Sequence, residues 1–176
     1  ADSAQDVGGI AGYLNATTVT SSSNNEYVKG DVNVGGIVGR TESNSEFYEC
    51  SNNGAIDGRN NNGGLIGYSA DTNIIEMSYN TGAVEGLNIN GGGSVGLLGG
   101  SNTTISEWYN TGNITGLDEV AGIVARVEGN GATGSNILIT DVYNRGDIYG
   151  THHACGIVGL IDANIGATLT RAYSTG

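Results

Sequence analysis

Short apolar stretches recur along the chain, bounded by Gly, Asn, Asp and Ser. Stretches of this kind, rich in β-branched residues and closed by turn formers, predict strands. No window carries a 3.6-residue apolar spacing over three turns, so helices are not expected. One stretch reads Val7-Gly8-Gly9-Ile10-Ala11-Gly12 and returns as Val34-Gly35-Gly36-Ile37-Val38-Gly39 and Asn62-Gly63-Gly64-Leu65-Ile66-Gly67. Looser copies are Val95-Gly96-Leu97-Leu98-Gly99, Ala121-Gly122-Ile123-Val124-Ala125 and Cys155-Gly156-Ile157-Val158-Gly159. Aligned so, the shared glycines are 9, 36, 64, 96, 122 and 156.

A second block alternates with the first. Its clearest copies are Tyr79-Asn80-Thr81-Gly82-Ala83-Val84-Glu85-Gly86 and Tyr109-Asn110-Thr111-Gly112-Asn113-Ile114-Thr115-Gly116. The copies at 51–58 and 143–150 match closely, Tyr27-Val28-Lys29-Gly30-Asp31-Val32 reads as a degenerate first copy, and 173–176 as a truncated last one. Seven residues before the block's first Gly stands a large apolar residue: Phe47, Ile75, Ile105, Ile139, Leu169, with Ser23 in the first copy. A unit of about 28 residues is thus repeated six times.

Such a unit is too small to bury its own core, but stacked units can share one, each strand pairing in parallel with its copy about 4.8 Å away. The predicted fold is an all-β parallel β-solenoid, or β-helix, of about six coils with three short strands per coil and a roughly triangular cross-section. It forms a single domain over 1–176, a rod about 28 Å long. Three inward columns are expected: Ile10, Ile37, Leu65, Leu97, Ile123, Ile157; then Val32, Ile56, Val84, Ile114, Ile148; then the Phe47 column. The glycines after Asn-Thr are expected at positive φ. Asn52, Asn80, Asn110 and Asn144 fall at one position and predict a structural ladder of stacked amides. Strict alternation turns Ala11, Val38, Ile66, Leu98, Val124 and Val158 outward, an apolar stripe that a flanking segment, another domain or a second chain would cover. Unpaired strand edges at the two ends favour edge-to-edge self-association.

Composition narrows the function. Acids outnumber bases 18 to 6, giving a net charge of -12. No basic stripe exists to neutralise phosphates, which argues against nucleic acid and against an anionic membrane surface. No apolar run is long enough to insert in a bilayer. The chain starts at Ala1 and stops at Gly176 inside a unit, so it reads as a piece of a longer protein.

The Gly-Gly-Leu-Ile-Gly block at 63–67 and the Tyr-Asn-Thr-Gly block at 79–82 resemble the two halves of the GLUG repeat. The resemblance covers nearly the whole chain; Ala125 in place of the closing Gly, and a first copy without Asn-Thr, are its departures. It implies an extracellular or bacterial cell-surface location. The repeat occurs in large secreted or surface-anchored bacterial proteins, among them adhesin-like proteins and immunoglobulin A-cleaving metallopeptidases. There it is not the catalytic part, and the resemblance transfers no catalytic residue.

Candidate chemistry is sparse. His152 and His153 are adjacent and expected in a solvated turn, unlike the helical His pair of a zinc peptidase. Cys50 and Cys155 fall about four coils apart, too far for a disulfide, and are expected as free, mostly buried thiols. Glu49, Met77, Glu107, Asp141 and Arg171 share an outward column, and Asp57 and Glu85 another. Such acids could serve a sugar-cleaving site or bridge calcium, but no calcium-binding loop motif accompanies them. Tyr79, Tyr109, Tyr143 and Tyr173, with Tyr27, form an aromatic column that either packs a corner or stacks on sugar rings. Trp108 beside it is the leading single candidate for a ligand contact. Thr81, Thr111 and Thr175 share a column that Lys29, Asn53 and Arg145 interrupt, unlike a regular ice-binding face. Insertions at 15–26, 87–93 and 129–136 read as polar surface loops.

The leading expectation is a non-catalytic structural or adhesive repeat module needing no cofactor. Its partners would be other domains of the parent protein and a host receptor or glycan. The alternatives are a glycan-binding module using Tyr79, Tyr109, Tyr143 and Trp108, and a β-helix carbohydrate-active enzyme.

Overall fold

A computed structural model of the chain describes residues 3–129, 136–163 and 165–176. These residues form strands and turns without a helix. The strands lie in three sheets, and every strand pairing is parallel, about six coils deep. The second sheet shows the plan most simply. Ala11–Asn15, Val38–Glu42, Ile66–Ser69, Val95–Gly99, Val124–Glu128 and Val158–Ile161 lie side by side in chain order. The first sheet runs from Gln5–Gly8 through Val32–Gly35, Ile56–Gly63, Val84–Gly92 and Ile114–Ala121 to His152–Cys155. The third contains Ser45–Tyr48, Asn73–Glu76, Thr104–Asn110, Asn136–Asn144 and Gly166–Ser174. The chain is therefore a parallel β-solenoid, with three sheets consistent with a triangular section.

The larger core lies between the second and third sheets. Phe47, Ile75, Ile105 and Ile139 stack in one file and are fully buried, with Val19 beneath Phe47 where Ser23 was expected. Val38, Ile66, Val95 and Val124 form a second buried file. The expected outward apolar stripe is thus an inward one. A bend at Gly36-Ile37 separates the two strands, so alternation restarts across it and both Ile37 and Val38 reach the interior.

Two registers differ from the sequence alignment. Val95, not Leu98, pairs with Ile66, so Gly93-Ser94 stands where Gly64-Leu65 stands one coil below. Leu97 consequently lies in an outer column between Tyr68 and Arg126, and Ser94 takes its expected core place. In the first coil Val28, not Val32, continues the Ile56–Val84–Ile114–Ile148 file, which with Val34 and Val120 forms a smaller core. Tyr27 therefore leaves the tyrosine column.

Two columns of left-handed backbone shape the coil. Asp6, Asn33, Asn61, Asn90, Glu119 and His153 have φ between 45° and 61°; Ser21, Glu49, Met77, Glu107, Asp141 and Arg171 have φ between 47° and 55°. Such a conformation costs most non-glycine residues about 1–2 kcal/mol but suits Asn and Asp, so local preference contributes at Asp6, Asn33, Asn61 and Asn90, whereas Glu49, Met77, Glu107 and Arg171 are held there by the stacked bend. The expected positive φ at Gly54, Gly82, Gly112 and Gly146 is not observed; among the described glycines Gly100 alone has it. Those four positions exclude a side chain for another reason. A Cβ at Gly54, Gly82, Gly112 or Gly146 would lie 1.9–2.0 Å from a carbonyl oxygen of the coil beneath.

Of the expected insertions, 15–26 is ordinary coil, including Thr18–Thr20 and Ser23–Asn24. The segment 87–93 continues a strand with a register shift between Gly86 and Ile89. The insertion at 129–136 falls largely outside the described residues.

Candidate functional site

The outer surface of the third sheet carries the candidate site. Tyr79, Tyr109, Tyr143 and Tyr173 are paired one above another. Ring centroids are 4.9, 5.1 and 5.3 Å apart, and the planes differ by 4°, 6° and 14°. The strand spacing imposes that distance, which suits offset stacking. Tyr79, Tyr109 and Tyr143 are half-buried and Tyr173 is exposed. The Arg145 guanidinium sits over the Tyr143 ring at 5.4 Å. Burial, with the neighbouring phenols, pushes the Tyr109 hydroxyl up from its ordinary value.

Trp108 is not part of this surface. It is 1% exposed and packs with Val142 and Cys50 inside the larger core, which corrects its reading as a ligand-contacting aromatic. Glu107 is the reason: its left-handed conformation places two successive residues, Ser106 and Glu107, outside and returns Trp108 to the interior.

Beside the tyrosines runs the expected outward column Glu49, Met77, Glu107, Asp141 and Arg171, all exposed. Arg171 donates to Asp141 at 2.6 Å and holds its carboxyl below the ordinary range. Asp57 is likewise held low by Lys29, 2.8 Å away, and by the Tyr27 hydroxyl at 2.6 Å. Carboxylates held this way stay ionised and do not serve as general acids near neutral pH. Among the described residues no three His, Cys, Asp or Glu side chains converge as a metal centre would.

The asparagine ladder lies at the inner corner. Asn52 Nδ2 donates to Asn80 Oδ1, Asn80 to Asn110, and Asn110 to Asn144, at 2.7–2.8 Å. Each amide also donates to the glycine carbonyl two residues on in its own coil. Asn24 extends the ladder below, donating to Asn52 at 2.8 Å, and Ser174 receives it above at 3.3 Å. The ladder satisfies buried polar groups that would otherwise each cost about 1–3 kcal/mol.

A second amide file was missed in the sequence. Asn33 donates to Asp6, Asn61 to Asn33, and Asn90 to Asn61, at 2.6–2.8 Å. The recurrence of Asn at 33, 61 and 90, at the spacing of the repeat, was its signal. Glu119 holds the next place and is 7% exposed. Burial pushes its carboxyl up, against the pull of Arg126 at 3.3 Å.

His152 and His153 lie on a strand rather than in a turn; both are exposed, and His153 contacts Asp118 at 2.8 Å. Both cysteines are free, but only Cys50 is buried. Cys155 is exposed, on the last strand described in its sheet.

No protein family, curated protein or solved structure matches the chain.

Proposed function

We propose that the chain is a non-catalytic structural and adhesive repeat module of a bacterial secreted or cell-surface protein. The observation that supports this reading is the Asn24–Asn52–Asn80–Asn110–Asn144 ladder, one bond repeated coil after coil. Such repetition builds length and stiffness, whereas turnover needs unlike groups gathered once. The resemblance of residues 63–67 and 79–82 to the GLUG repeat points the same way. Its partners are other domains of the parent protein, with a host receptor or glycan.

The tyrosine row favours glycan binding as a second reading. Stacked rings beside Thr81, Thr111 and Arg145 present phenol edges, hydroxyls and further hydrogen-bonding groups along one line, while their inner faces cover one another. A glycan array probed with the chain, followed by a turnover assay on any sugar retained, tests both. Retention lost in Tyr109→Ala supports adhesion through this row, and no glycan hit supports spacing alone. Cleavage of a sugar that disappears in Glu107→Gln or Asp141→Asn overturns the non-catalytic reading.

A further inference from the structure

The two ends of the rod are not equivalent. At one position per coil, 54, 82, 112, 146 and 176, the residue is Gly. A Cβ at any of these would lie 1.9–2.1 Å from the backbone oxygen of the coil beneath. No real Cβ contact is that short, so a side chain at this position and a coil directly beneath it exclude one another. Residue 26 holds the same place in the first coil: Asn24 Nδ2 reaches Glu26 O at 2.8 Å, as Asn52 reaches Gly54 O at 2.8 Å. Here the residue is Glu, exposed, with no described coil below it.

The lower end of the asparagine ladder lies at the same place. In the coils above, the ladder oxygen accepts from the amide of the coil beneath. Asn24 Oδ1 accepts from the Glu26 N–H of its own coil instead, at 3.2 Å. The ladder thus ends in a backbone N–H of its own coil, while the side chain of Glu26 supplies the steric barrier.

The opposite end carries no such block. Gly156 stands at the position whose Cβ, in the coils below, would meet the coil above. Leu169 and Ile161 are 43% and 40% exposed at the top of the larger core. These side chains continue the files of Val19–Phe47–Ile75–Ile105–Ile139 and Leu14–Thr41–Ser69–Leu98–Val127.

We propose that Glu26 is a stacking block that closes the N-terminal end of the solenoid, while the C-terminal end is a docking surface for one further parallel coil of the same repeat, carrying Gly at the place of Glu26. This goes beyond the adhesive reading and does not depend on it. The block is steric first: the Cβ suffices, and the carboxylate adds an uncompensated charge beneath the core edge.

Light scattering over a wide concentration range tests it. Wild type stays at the mass of one chain, and Glu26→Ala does the same. Glu26→Gly gains species of two and more chains, because its first coil now fits the last coil of another copy. Adding Leu169→Lys to Glu26→Gly returns it to one chain, and adding wild-type protein to Glu26→Gly shortens its stacks. Gly is native at this place in five coils, and a thermal melt confirms that each variant is folded. Glu26→Gly remaining at one chain, or Glu26→Ala assembling as readily as Glu26→Gly, overturns the proposal. So does wild-type self-association that Ile10→Lys abolishes.

Discussion

Glu119 stacks directly on Asn90, and each carries a buried side-chain oxygen with no hydrogen-bond partner. The amide file below them runs donor to acceptor from Asn90 down to Asp6. An ionised carboxylate at the next place has no proton to donate to Asn90 Oδ1, so acceptor faces acceptor. Glutamine there would supply the missing N–H. Burial raises the Glu119 pKa above its ordinary value of 4.5, so the folded chain holds this proton more tightly than the unfolded chain. The stability contributed by the carboxyl is present at pH below 4.5 and is lost as pH rises through the raised value. Glu119→Gln is expected to be more stable than wild type near neutral pH and to flatten that decline. Thermal melts of both proteins across the acidic and neutral range check it.

Asn62 presents the related case inside the smaller core. It is fully buried, and neither of its amide atoms has a partner. Its neighbour in the file below is Val34. Asn62→Val removes two unpaired polar atoms and extends an apolar file, and is expected to stabilise the chain by about 1–3 kcal/mol. Denaturant unfolding measures this as a raised midpoint at unchanged slope.

Asn80 is the opposite case, a buried amide with every group used. Asn80→Ala leaves Asn110 Oδ1 and the Gly82 carbonyl without their donor and Asn52 without one acceptor. The expected loss is about 3 kcal/mol. Asn53→Ala, one residue outside the corresponding rung, is expected to change stability by less than about 0.5 kcal/mol. Equal losses in the two variants would show that the ladder contributes nothing special.

The thiols separate by burial. Cys155 is exposed, whereas Cys50 is buried and desolvation pushes its thiol up. A thiol reagent is expected to modify one cysteine rapidly in the native protein and the second only on unfolding. Cys155→Ser should abolish the rapid phase, and rapid modification persisting in that variant would place Cys50 at the surface.

How much of this was legible in the sequence depends on where the repeat was unambiguous. Phe47, Ile75, Ile105 and Ile139 and the asparagines at 52, 80, 110 and 144 were placed correctly because each has a single match per coil. Residues 91–100 contain two glycine-rich matches, and the second, at 95–99, puts Leu97 in a core place that Ser94 occupies. In the first coil the signature glycine is absent because Glu26 replaces it, so the alignment caught Gly30 and brought Tyr27 and Val32 into the wrong columns. Trp108 was misplaced for a different reason. Period-2 alternation fails wherever a left-handed residue intervenes, and Glu107 gives no local sign of that conformation. It becomes readable only once Glu49, Met77, Asp141 and Arg171 are seen to share its bend. The tyrosine row could be aligned but not oriented, since a stacked phenol suits either side of a sheet.

The two asparagine files point in opposite directions. Along 24, 52, 80, 110 and 144 every amide donates toward the C-terminal end; along 33, 61 and 90 every amide donates toward the N-terminal end. Side-chain amides are dipoles, and a one-way row of them sums into a field along the axis. The second row holds three amides against five and gives way to Glu119 and His153 above Asn90, so the two fields offset one another over the first coils only, and the axial dipole is left to the longer row toward the C-terminal end.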